Sequence, residues 1–184
     1  MERFLNPNEI LKQLKLKESM IVADFGSGSG GWVIPLAKKL EEGKVYAIDI
    51  LEEPLSALRA KTNLEKIFNV EIIQADVEAK SGSTLPDTCC DLVLMTNLLF
   101  ECDDKKQVLE EGRRVLKPGG RILIVDWQKD NPLTKKIEKV SFGEIKKEAR
   151  DLGLKLEKEF EAGIYHYALI FVKPRSEIST RSAN

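Results

Sequence analysis

The sequence predicts an α/β fold: a doubly wound, mostly parallel sheet of seven strands, with helices on both faces and a C-terminal antiparallel hairpin. Short β-rich runs alternate with amphipathic helical stretches, which is the pattern of repeated βαβ units. The run Leu92 to Met95 has no polar residue, as suits a strand buried on both faces in mid-sheet. The last two β-like runs are separated only by Ala162-Gly163-Ile164, too short for a parallel crossover, so they must form a hairpin.

The elements follow in order. Asn6-Pro7-Asn8-Glu9 reads as a helix start, with Asn6 as cap, Pro7 in the first position and Glu9 three residues after the cap. Met20 to Phe25 is the first strand. Val33, Leu36, Ala37 and Leu40 then recur at helical spacing, and this helix is expected to stop at Gly43. Lys44 to Ile50, Val70 to Ala75 and Asp91 to Met95 are the next strands, with a helix over about 53–67 between the first two. A polar segment containing Ser81-Gly82-Ser83 precedes Asp91. A helix over about 104–116 meets the stop signal Lys117-Pro118-Gly119-Gly120, and Arg121 to Asp126 is the fifth strand. Gln128 to Lys139 reads as a polar loop, 142–152 as a helix ending at Gly153, and Leu154 to Glu161 with Tyr165 to Lys173 as the hairpin. A single domain over 1–173 is expected, its first 18 residues a helix and lid, followed by a disordered tail over 174–184.

The 184 residues are 42% hydrophobic and 32% charged, with 29 basic against 30 acidic side chains. A formal charge of -1 gives no bulk attraction to nucleic acid or an anionic membrane. No apolar run approaches the ~20 residues a membrane span needs, and the charged N-terminus lacks the apolar core of a signal peptide, so a cytoplasmic protein is expected. Oligomeric state is not legible. Three cysteines, two of them adjacent (Cys89, Cys90) and one at Cys102, match no zinc spacing. Buried thiols are the preferred reading over a soft-metalloid site, and no metal is expected.

The chemistry concentrates in VADFGSGSGGW, where an apolar strand ends in Asp24 and enters a glycine-serine loop. Gly26, Gly28 and Gly31 satisfy G-x-G-x-x-G, and Asp49 ends the following strand, a pattern compatible with dinucleotide binding. Asp24 argues otherwise: a carboxylate at that place repels a pyrophosphate and suits a cation or an amino group. The terminal hairpin also replaces the second βαβ half that a dinucleotide fold requires. No G-x-x-x-x-G-K-[ST] occurs.

VADFGSGSG, YAIDI, IIQADV, DLVLMTNLL and RRVLKPGGRILIVDW, in that order, resemble the class I S-adenosylmethionine-dependent methyltransferases. The likeness is to the small single-domain "type 11" group that includes ubiquinone/menaquinone methyltransferases, and it covers about residues 5–173. It implies strand order 3-2-1-4-5-7-6 and S-adenosylmethionine as cofactor. It implies that Asp24 serves the methionine ammonium side, that Gly26, Ser27, Gly28 and Gly30 let backbone approach the ligand, and that Asp49 accepts from the ribose hydroxyls. Ile50 and Val77 would sandwich the adenine, Asp76 would accept from its amine, and Asn97 would lie beside the methionine portion. Asp76 as a cap and Asn97 as a turn residue are the competing readings.

Methyl transfer needs the acceptor positioned in line with the S–CH3 bond, and a base only where the acceptor must lose a proton. His166, the only histidine, is the candidate base. The resemblance places the last strand beside the fifth, which would pair His166 with Asp126 between Trp127 and Tyr165 as aromatic walls. The acceptor is expected to be a small or lipophilic molecule. Lys135, Lys136 and Lys139 in the preceding loop could attract an anion, though a solvated face is the simpler account. A protein or RNA methyltransferase, or a cofactor-binding module without turnover, are the alternatives. Thr96-Asn97-Leu98-Leu99 replaces the Asn-Pro-Pro-Tyr-type motif of amino-N methyltransferases.

Overall fold

The computed structural model describes residues 4–128 and 141–175. The loop lysines 135, 136 and 139 and the tail beyond 175 lie outside the described residues. The elements are α1 (Pro7–Leu11), β1 (Ile21–Phe25), α2 (Val33–Ala37), β2 (Lys44–Asp49), α3 (Glu52–Leu64), β3 (Val70–Gln74), β4 (Cys90–Thr96), α4 (Lys105–Val115), β5 (Leu116–Trp127), α5 (Phe142–Asp151), β6 (Lys155–Glu161) and β7 (His166–Val172). The seven strands lie in the order β3-β2-β1-β4-β5-β7-β6. β1 to β5 run parallel; β7 inserts antiparallel between β5 and β6.

Alternation of side chains along the inner strands sorts the core into two layers. Phe25, Val93, Met95, Ile122 and Ile124 meet α4 and α5 on one face. Val22, Leu92, Leu94, Leu123 and Val125 meet α1 and α2 on the other. Edge strand β6, KLEKEFE, is largely exposed, and its lysines and glutamates protect the edge against pairing with another chain.

Two expectations change. α2 ends at Ala37, not at Gly43, although Leu40 still reaches the core. The Asn69 amide donates to the carbonyls of Ala37 (2.9 Å) and Leu40 (2.7 Å), satisfying helix-end acceptors that another turn would otherwise have used. The Lys117-Pro118-Gly119-Gly120 signal ends α4, yet the chain is already strand there. Register jumps from Cys90↔Leu116 to Leu92↔Arg121, so the four residues form a bulge in β5. Gly119, at φ +85°, supplies the left-handed residue the bulge needs and donates its N–H to the Lys173 carbonyl at 2.8 Å.

Candidate functional site

The carboxyl ends of β1, β2, β3 and β4 surround a cavity of about 350 Å³. Gly26, Gly28, Asp49, Ile50, Asp76, Val77 and Asn97 all line it, so most of the expected ligand residues converge on one place. The loop after β1 is held down by the end of β2. The Ile48 carbonyl accepts from the N–H groups of Gly26 (2.8 Å) and Ser27 (3.0 Å), and Asp49 Oδ2 accepts from Gly28 N–H at 2.8 Å. Asp49 Oδ1 accepts from Leu51 N–H at 3.0 Å, so this carboxylate shapes the site as well as facing it. At Gly28 no atom lies within 4 Å of where a Cβ would stand, which leaves bare backbone open to a ligand.

Gly30 is placed elsewhere. It borders a separate groove with Ile34 and Lys61, and a Cβ on it would meet Leu58 Cδ1 of α3 at 2.4 Å. Its service is to helix packing. Asp76 Oδ1 accepts from Glu78 N–H at 2.9 Å, so the turn-capping reading of Asp76 holds beside its place in the cavity wall. Asn97 sits in the left-handed region at φ +50°.

Behind the loop, Asp24 is fully buried, and neither of its carboxylate oxygens has a hydrogen-bond partner among the described residues; Ser27 Oγ and Asn97 Oδ1 share that condition. Burial, and then the charge of Asp49, push the Asp24 carboxyl up to about 8. A buried acid without a donor is costly unless a ligand supplies one. Asp49, Asp76, Glu78 and Glu101 line the cavity, and among the described residues no lysine or arginine does. Such a site attracts cations and repels phosphates. An ammonium, a sulfonium and a ribose diol meet its requirements, so the residues present fit S-adenosylmethionine. Glu78, Leu98 and Cys102 went unassigned in the sequence as cavity residues, whereas Phe100-Glu101 reads as a lid over the pocket. The end of the strand at Thr96-Asn97 was the available signal for Leu98 and Cys102.

At the end of β5 the register pairs Trp127 with His166 and Asp126 with Tyr167. Neighbours along a strand point to opposite faces, so the expected Asp126–His166 pair does not form. His166 instead stacks on Trp127, ring centroids 4.0 Å apart and tilted 37°, and Phe100 meets Trp127 edge-on at 6.4 Å. His166 Nε2 and Trp127 Nε1 are buried and without a partner among the described residues. Burial holds His166 below its usual range, so it is neutral at pH 7. Asp126, on the other face, accepts from Trp127 N–H (2.8 Å) and Phe100 N–H (3.2 Å).

The thiols supply no ligand set. Cys89 and Cys90 lie at the start of β4, at the opposite end of the strand from the cavity. Cys102 lines the cavity, but burial pushes its thiol up to about 12. Among the described residues no group of His, Cys, Asp and Glu could hold a metal ion. No described helix is long and apolar enough to cross a membrane.

A family model described as a methyltransferase domain matches residues 16–163. A structure of a SAM-dependent methyltransferase from Aquifex aeolicus superposes with a TM-score of 0.83 at 31% identity, covering 92% of this chain and 90% of that one. The chain belongs to the class I S-adenosylmethionine-dependent methyltransferases. Among curated relatives, the methyltransferase is 34% identical over 131 residues to the ubiquinone/menaquinone biosynthesis C-methyltransferase UbiE of Escherichia coli O1:K1, a match covering 69% of this chain. The match spans 51% of that relative, so the chain covers about half the length of the curated relatives it matches. The structure of the [4+2]-cyclase SpnF has a TM-score of 0.80 at 13% identity, over 92% of this chain and 80% of that one, which shows a shared fold alone.

Proposed function

We propose that this methyltransferase transfers the methyl group to a small or lipophilic acceptor lying against Trp127 and His166. One observation carries the reading: beyond the acid-lined cavity, two polar ring atoms, His166 Nε2 and Trp127 Nε1, are buried in an aromatic wall without partners among the described residues. Such a wall suits an apolar ring, and the two nitrogens suit a single polar substituent on it. The likeness to UbiE, whose name records C-methylation in quinone biosynthesis, supports carbon as the acceptor atom.

When bound, S-adenosylmethionine supplies an activated methyl group on a sulfonium that is a good leaving group. The chain has three tasks. Asp24, Asn97 and Asp49 hold the cofactor by charge and hydrogen bonds. Phe100 and Trp127 exclude water from the acceptor side. His166, uncharged and with Nε2 unpartnered among the described residues, takes a proton from the acceptor where its hydroxyl must become the better electron donor.

The test is a methyl-transfer assay with labelled cofactor and a panel of quinols, phenols, amines and an unstructured peptide. Turnover of a hydroxylated ring, with His166→Ala lowering kcat by roughly 100-fold and adenosylhomocysteine affinity unchanged, is the expected result. Transfer only to amines or peptide would overturn the acceptor class. Tight cofactor binding without any turnover would favour a binding module.

A further inference from the structure

Asp126 is 1% exposed and carries a carboxylate that the proposed transfer does not use. Its oxygens accept from the N–H groups of Trp127 and Phe100, the second of which belongs to the loop between β4 and α4. Four residues of that loop, Asn97, Leu98, Glu101 and Cys102, form one wall of the cofactor cavity. Leu98 also leans over the glycine loop, its Cδ1 standing 2.8 Å from where a Cβ on Gly26 would lie. The ends of the loop are tied elsewhere, Asn97 N–H to the Val125 carbonyl (2.8 Å) and Asp104 N–H to Glu78 Oε2 (2.7 Å), and Leu99 is buried in the core. Between them Glu101 N–H and Cys102 N–H make only local turns to Leu98 and Leu99, so Asp126 grips the middle of the loop.

We propose that Asp126 is a positioning residue, whose carboxylate grips the backbone of the β4–α4 loop and so holds one wall of the cofactor cavity closed. The inference rests on the cavity being the cofactor's. It replaces the expected partnership with His166, which the strand register forbids, by a role on the opposite face of the sheet. A carboxylate accepting from backbone amides forms stronger hydrogen bonds than a neutral oxygen, so the grip depends on charge.

The groups facing Asp126 make that charge adjustable. Glu101 and Cys102 approach from the loop and Tyr167 from β7; no ion pair reaches Asp126 among the described residues. Burial raises the carboxyl to about 6, against the downward pull of the Trp127, Phe100 and Leu99 amides. Above that pH the carboxylate is ionised and the wall is held; below it the acid is neutral and the grip weakens.

Adenosylhomocysteine titrated calorimetrically into wild type and Asp126→Asn from pH 5 to 8 tests this, beside the pH dependence of the Phe100 and Trp127 amide resonances in wild type. Asp126→Asn should bind roughly tenfold more weakly at pH 7.5, and the ratio of the two affinities should shrink toward unity near pH 5. Comparing the ratio cancels the pH dependence that Asp24 imposes on both proteins. Both amides should shift together with a midpoint near 6. Equal affinities at pH 7.5, or a Phe100 amide that does not titrate, would overturn the clamp. The amide series needs no variant, so it decides even where Asp126→Asn fails to fold. A wild type that binds no adenosylhomocysteine would overturn the cofactor reading instead, and the titrating amides would tell that failure from failure of the clamp.

Discussion

At the residue scale, Asp24 sets function against stability. Its carboxyl is raised by burial and by Asp49, so the native state holds the proton more tightly than the unfolded chain does. That contribution to stability is greatest below about 4, where both states are protonated, and is lost as pH rises toward 8. Asp24→Asn should therefore stabilise the ligand-free protein at pH 8 by on the order of a few kcal/mol, and the gain should vanish near pH 4. Urea denaturation at the two pH values measures both. The same variant should lose adenosylhomocysteine, because an amide cannot neutralise an ammonium. Binding to wild type should also release protons between pH 5 and 8, visible as a dependence of the calorimetric heat on buffer. The residue pattern told much of this in advance: a carboxylate ahead of a glycine loop has few uses. It could not tell the partner of His166. Asp126 and Trp127 are adjacent in sequence, and a one-residue difference in register decides which of them shares its face.

At the scale of elements, α4 holds a polar device that periodicity half concealed. Its buried stripe of Val108, Leu109, Gly112 and Val115 also contains Glu111, which is 1% exposed. Glu111 accepts from Ser83 N–H (3.0 Å) and the Ser83 hydroxyl, and Arg114 grips it through Nε (2.8 Å) and Nη2 (2.7 Å) while also donating to the Leu85 carbonyl. The segment between β3 and β4 is thereby tied to the helix. Burial raises the Glu111 carboxyl, but the bonds from Arg114 and Ser83 outweigh it and the net direction is down. Its stabilisation is thus present above the ordinary glutamate range and is lost as pH falls through the folded value. Glu111→Ala leaves the partly buried Arg114 guanidinium with only the exposed Asp87 carboxylate and the Leu85 carbonyl, strips Ser83 of its acceptor, and should cost about 3 kcal/mol, read by denaturation at pH 7. Gly30→Ala is the complementary case. Its φ of +90° and the approach of Leu58 predict a loss of roughly 1–3 kcal/mol with cofactor affinity intact in the folded fraction. Apart from the end of α2 and the start of β5, the sequence placed the described elements within a few residues, because strands and helices are written in local periodicity. It missed the early end of α2 and the bulge in β5, which are settled by Asn69 and by strand pairing, contacts made at long range.

For the whole molecule, the distribution of charge matters more than its sum. The chain is almost neutral, with 29 basic against 30 acidic residues, yet Asp49, Asp76, Glu78 and Glu101 gather around one cavity with Asp24 behind it. A parallel sheet brings this about, since every β1-to-β4 strand delivers its carboxyl end to the same edge. Among the described residues the lysines and arginines are spent elsewhere, as in the Arg121–Glu157 and Lys117–Asp91 pairs. An acid-walled cavity discriminates by charge before shape is tested. S-adenosylmethionine carries one more positive charge than adenosylhomocysteine, so its affinity should fall more steeply as salt is raised from 20 to about 500 mM, a range over which screening shortens to a few ångströms. NAD, with its pyrophosphate, should show no binding at any salt. Parallel calorimetric titrations of the three ligands at several ionic strengths would measure this. Equal salt slopes for the two adenosyl compounds would mean that the carboxylates are screened or bonded away from the sulfur. The site would then read its ligand through hydrogen bonds alone.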